Sequence, residues 1–101
     1  MRVVRVSAEE LRRRFNHAAC VERAARGELL VRVLREAHPS PPRAREPRCT
    51  RSQLLGYYDR ITGQLVALAH QYRRRDGSIG GKGRPDPKQL VEGDTIYRIW
   101  I

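Results

Sequence analysis

Residues 39–53, PSPPRAREPRCTRSQ, hold four prolines, four arginines and almost no apolar side chain. Such a segment is poor material for regular structure, because each proline removes a backbone donor and there is little apolar surface to bury. It reads as a loop or extended basic arm that divides the chain into two differently patterned parts. With 101 residues in total there is room for one core only, so both parts must share it. Residues 1–101 are therefore expected to form a single domain, with this arm at 39–53 and a second, glycine-rich basic loop at 74–88. Apolar residues at 40% suffice for folding, but the core of so short a chain is thin. A dimer interface or a partner is expected to supply part of the stability.

The part before the arm opens on Arg2-Val3-Val4-Arg5-Val6, which alternates as a short strand. Ser7-Ala8-Glu9-Glu10 follows as a capping box, and the helix it starts runs through Leu11 to Phe15. Asn16 is a plausible breaker. A second helical stretch from about His17 to Arg26 ends at Gly27, with Ala18, Cys20 (or Val21), Ala24 and Ala25 as its small apolar face. Leu29–Leu34 fits either a strand or a helical stripe, and the helix formers around it tilt the expectation to helix. The part after the arm is β in character. Leu54–Asp59 and Gln64–Arg73 form a hairpin around Arg60–Gly63, with Leu65, Ala67, Ala69 and Gln71 on one face and Val66, Leu68, His70 and Tyr72 on the other. The latter strand turns polar toward Gln71, which points its far end at solvent. Asp86 is expected to cap one helical turn at Pro87–Leu90. Glu92-Gly93-Asp94 turns the chain, and Thr95–Ile101 alternates as a last strand. The fold class is α+β, with a short N-terminal strand and helices packed on one face of an antiparallel sheet of three to five strands.

Charge limits the partners. Lys and Arg total 21 against 11 Asp and Glu, giving +10, and all but Lys82 and Lys88 are arginines. A GC-rich coding sequence explains Arg over Lys, but not the excess of bases over acids. That excess attracts polyanions, and guanidinium grips phosphate in a bidentate fork. It is also localised. The arm carries four arginines against Glu46, and residues 60–88 carry +5, whereas residues 1–38 mix arginine with glutamate. Nucleic acid is thus the first partner, RNA ahead of DNA. An acidic protein comes second and membrane last, since no apolar run approaches the ~20 residues of a span. The N-terminus lacks a signal-peptide pattern, and Cys20 and Cys49 read as free thiols, so the expected compartment is the cytoplasm.

The arm supplies Arg43, Arg45, Arg48 and Arg51 as candidate phosphate contacts. The region 70–88 supplies Arg73, Arg74, Arg75, Lys82, Arg84 and Lys88, with glycines that let backbone N–H groups approach an anion. Gly-Lys-[Ser/Thr] is absent, so this is not a nucleotide-triphosphate loop. His70 and Tyr72 share one strand face beside these arginines. A neutral His70 can take a proton from a ribose 2′-hydroxyl while Arg74 stabilises the charge developing on phosphorus. Asp59 falls at the other end of the hairpin and is a poor partner for His70. Tyr57 and Tyr58 are candidates for base stacking, one of them expected in the core. His17, Cys20, His38 and Cys49 contain no CxxC pair, and no cofactor or metal is called for.

In its order of elements, length and basicity the chain resembles the small bacterial toxin ribonucleases of the RelE type, which also place Arg, Lys, His or Tyr on the sheet. The resemblance is one of layout, because no residue here matches their active positions. It implies a toxin-like endoribonuclease, with His70 and Tyr72 as the residues to test. The leading expectation remains a small nucleic-acid-binding protein that contacts phosphates through the arm and the glycine-rich loop. A protein-interaction module for an acidic partner is the third reading.

Overall fold

The computed structural model describes residues 1–37, 44–81 and 83–99. The elements run β1 (Arg2–Val6), α1 (Ala8–His17), α2 (Cys20–Ala25), β2 (Leu29–Ala37), β3 (Arg51–Asp59), β4 (Leu65–Arg73), β5 (Asp86–Glu92) and β6 (Thr95–Ile99). The strands form one sheet in the order β1-β6-β5-β4-β3-β2. Neighbours are antiparallel except β1 and β6, which run parallel; the helices carry the chain from β1 to β2 at the opposite edge, and it returns strand by strand to β6. The class is α+β as the sequence reading has it, with six strands rather than three to five.

Local chemistry explains the helices. Ser7 Oγ accepts the Glu10 N–H at 3.0 Å, which is half of a capping box. The Glu10 carboxylate does not complete the box and instead takes Arg13 and Arg14 along the helix surface. The break falls three residues beyond Asn16, where Ala19 adopts a left-handed φ of 55°. Gly27, at φ 82°, ends α2 in a Schellman arrangement. Its N–H donates to Ala24 O, and the Glu28 N–H reaches back to Arg23 O.

Two expectations fail. Leu29–Ala37 is an edge strand, not a helix, and it pairs with β3 from Leu29↔Asp59 to Ala37↔Ser52. A ladder of cross-strand bonds outweighs the helix propensity of Leu, Arg and Glu, and β-branched Val31 and Val33 suit the pleated surface. Asp86–Leu90 likewise lies in β5 and makes no helical turn. Pro87, which has no N–H to give, sits opposite Ala69 where the register shifts, and Leu90 lands opposite Ala67 in the core.

Leu11, Phe15 and Cys20 from the helices meet Leu29, Leu55, Tyr57, Ala67, Ala69 and Leu90 on one face of the sheet. Phe15 packs edge-on to Tyr57 with ring centroids 5.7 Å apart. Ala67 and Ala69 on β4 are fully buried in this cluster. Helix α2 is too short to complete this layer. Its six residues span about 9 Å, against roughly 30 Å for nine-residue β2. Val31 and Val33 consequently stay 44% and 51% exposed. Among the described residues, no helix is long and apolar enough to cross a membrane.

Candidate nucleic-acid interface

Three neighbouring features occupy the end of the sheet where β3 begins and β4 ends. The first is a basic basin of about 480 Å³, lined by Cys49, Arg51, Arg73, Arg74, Arg75 and the Asp76-Gly77 turn. Register places Arg51 directly opposite Arg73. Like charges facing each other across strands destabilise a sheet, and a bound anion reverses that sign. Arg51 leans on Glu36 at 3.6 Å. Among the described residues, Arg73 and Arg75 enter no ion pair. The Asp76 carboxylate holds the turn through the Ser78 N–H and hydroxyl, which keep it below the ordinary carboxylate range.

The glycine-rich loop does hold an anion, and that anion is the protein's own. Glu46, from the arm, takes Arg74 Nε at 3.0 Å and the Gly81 N–H at 2.8 Å. Its side chain is only 5% exposed. A Cβ at Gly80 would collide with this carboxylate, so a larger residue there would displace Glu46 from its place beside Arg74 and Gly81. Arg74 and then the Gly81 N–H hold the Glu46 carboxyl below its ordinary value. Arg45 and Cys49, on either side, have left-handed φ angles of 54° and 68°, a strained backbone for residues with side chains. Thr50 is fully buried, and its hydroxyl has no partner among the described residues.

The second feature is a groove of about 550 Å³ on the helix face, where α2 runs out over β2, β3 and β4. Arg51 and Arg73 line this groove as well as the basin. On its floor Gln71 Nε2 donates to Gln53 Oε1 at 2.8 Å, and Gln53 Nε2 donates to Glu36 at 2.6 Å. The polar end of β4 therefore does not reach solvent at Gln71, which is 8% exposed beneath this amide ladder. The chain becomes exposed only at Arg73.

The third feature lies on the opposite face, where His70 and Tyr72 stand edge to face with centroids 4.7 Å apart. His70 Nε2 and Ser52 Oγ share a hydrogen bond of 2.6 Å. A recess of about 340 Å³ gathers His70, Ser52, Arg35 and Lys88. Burial first, and then Lys88, lowers the His70 pKa below its ordinary 6.5, while Asp86 pulls the other way. Sequence spacing links His70 to Tyr72, but Ser52, Arg35 and Lys88 join them only through strand pairing and the bulge at Leu68/Ala69.

The sequence-derived residues thus divide. Arg51, Arg73, Arg74 and Arg75 converge on the basin, and Arg51 belongs to β3 rather than to the arm. Arg84 turns away to Glu22 and Asn16 at the groove wall, and Lys88 pairs with Asp86 at 3.3 Å. Arg45 and Arg48 are exposed on the arm. Arg43, Lys82 and His38 lie outside the described residues. Asp59 sits at the far end of the hairpin and caps its turn through the Ile61 and Thr62 N–H groups. Tyr57 is core, and Tyr58 lies on the other face over Gly56. Cys20 is buried, its thiol pushed up to about 11 by desolvation, whereas His17 is exposed. The two do not share a helical face, because the break at Ala19 separates them. Among the described residues no cluster of three metal-ligating side chains forms. No family model, curated protein or solved structure matches this chain.

Proposed function

We propose that the protein binds RNA, in preference to DNA, by seating phosphates in the basin at the β3–β4 strand ends. The observation that carries this reading is the facing pair Arg51 and Arg73, with Arg75 beside them and no carboxylate neutralising Arg73 or Arg75 among the described residues. A concave, arginine-walled end of a sheet suits the irregular backbone of a single-stranded or looped RNA better than a regular duplex. Each phosphate contact releases counterions, so affinity must fall with salt. With three arginines engaged, log K against log salt should slope at about −2 for a single strand. Arg73→Gln and Arg75→Gln should each flatten that slope by roughly 0.7 in a fluorescence-anisotropy titration. A wild-type protein that binds no RNA at low salt sinks the reading and leaves an acidic protein as the partner.

A second reading, cleavage of the bound strand, is favoured by the Ser52–His70 hydrogen bond beside Lys88 and Arg35. A neutral imidazole at pH 7 accepts the proton of a ribose 2′-hydroxyl, and the 2′-oxygen attacks the adjacent phosphorus. The bond from phosphorus to the 5′-oxygen breaks, leaving a 2′,3′-cyclic phosphate and a 5′-hydroxyl protonated from solvent. The cation nearest to hand for the phosphorane is Arg35, since Arg74 is held by Glu46 and Lys88 by Asp86. His70→Ala should abolish cleavage while leaving anisotropy unchanged, and Tyr72→Phe should slow it. RNA left intact by the wild type removes this reading without touching the first.

A further inference from the structure

We infer that the groove on the helix face takes an unpaired base of a single-stranded nucleic acid whose adjoining phosphate lies on Arg51 and Arg73. This rests on the RNA-binding reading above. The two arginines are common walls of the groove and the basin, so whatever fills both must join an anionic group directly to a flat, largely apolar body. A nucleotide has that construction. The groove is large enough for a small organic group, falling within the roughly 300–1,000 Å³ of ligand pockets. Its walls are apolar where a ring face would lie, with Val31 and Val33 half-exposed and their cross-strand neighbours Tyr57 and Leu55 beside them.

The floor carries the polar complement. Gln71 uses one amide N–H on Gln53, which leaves its second N–H and its carbonyl oxygen for an occupant. Gln53 and Gln71 are 5% and 8% exposed and fixed by the ladder that ends on Glu36, so the donor and acceptor are already oriented. A base edge needs such a pair. Among the described residues no carboxylate lines the groove, which agrees with an occupant bound beside a phosphate. A base inside a duplex is stacked and paired and cannot enter, so the groove selects single strands. An added peptide strand would pair along the free edge of β2, whereas the groove lies over the sheet face.

The test is anisotropy at one fixed salt concentration with a labelled RNA 12-mer, the same sequence as a duplex, and a 12-mer of abasic sites. All three carry phosphates but only the first offers free bases. The wild type should bind the single strand at least tenfold more tightly than the other two, in line with the burial of one base. Val33→Trp and Val31→Phe fill the groove from exposed positions and should abolish that preference without changing the salt slope. Equal wild-type binding of all three probes overturns the groove assignment but leaves the phosphate basin standing. No binding of any probe overturns the basin as well. A preference that survives both groove-filling variants, in proteins with wild-type circular dichroism, overturns the assignment too. So does displacement of the single strand by a glutamate-rich peptide of equal charge, which makes the occupant a peptide.

Discussion

The two ends of the helix-covered sheet face differ in how far their apolar residues are sealed. Under α1, Leu11, Phe15, Ala67 and Leu90 are fully buried, and Arg14 closes over Tyr97 at 4.1 Å. On β2, the same face leaves Val31 and Val33 half in water beside the groove. Sheet chemistry is similar at both ends, so the difference comes from helix length: ten residues in α1 and six in α2. One end contributes stability. The other keeps an open surface next to Arg73, which enters no ion pair among the described residues.

The comparison predicts unequal costs of mutation. Phe15→Ala removes the ring that fills the α1 end and should destabilise by about 3–5 kcal/mol in urea unfolding. A loss below about 1 kcal/mol would mean that the α1 end is not the stabilising half. Glu46→Gln ranks next and shows itself in pH dependence. Arg74 and the Gly81 N–H depress the Glu46 carboxyl below 4.5, so its contribution is fully present above that value. It is lost as pH falls through the lowered folded value. The variant's melting temperature should therefore fall less steeply with acid than that of the wild type, and parallel curves would remove Glu46 as the tie between arm and loop. Val33→Ser should be the smallest, within about 0.5 kcal/mol, because half the side chain is already in water. A large cost there would mean that something covers the groove.

Much of the frame was legible from short-range patterns. The Ser7 cap, the Gly27 terminus and the β3–β4 hairpin are each decided by residues a few positions apart, and they stand where the sequence puts them. Strand β2 was not legible, since Leu29–Ala37 satisfies a helical stripe and a strand about equally. Nor was β5, where Asp86-Pro87 carries a helix-start pattern that pairing with β4 overrides. The site divides in the same way. The Arg73–Arg75 run and His70 next to Tyr72 can be read from spacing, but the capture of Arg74 by Glu46, 28 residues away, cannot.

The sequence alone determined the α+β class, the basic excess and its concentration in the arm and in residues 60–88. These follow from composition and from interactions within a turn or two of backbone. Tertiary structure decided which cations face outward and which are neutralised internally. It set Arg51 against Arg73, gave Glu46 the loop that reads as a phosphate cradle, and opened a groove where α2 ends. The first depends on strand register, where a shift of one residue would send every side chain to the other face, and the other two on packing between segments far apart in the chain.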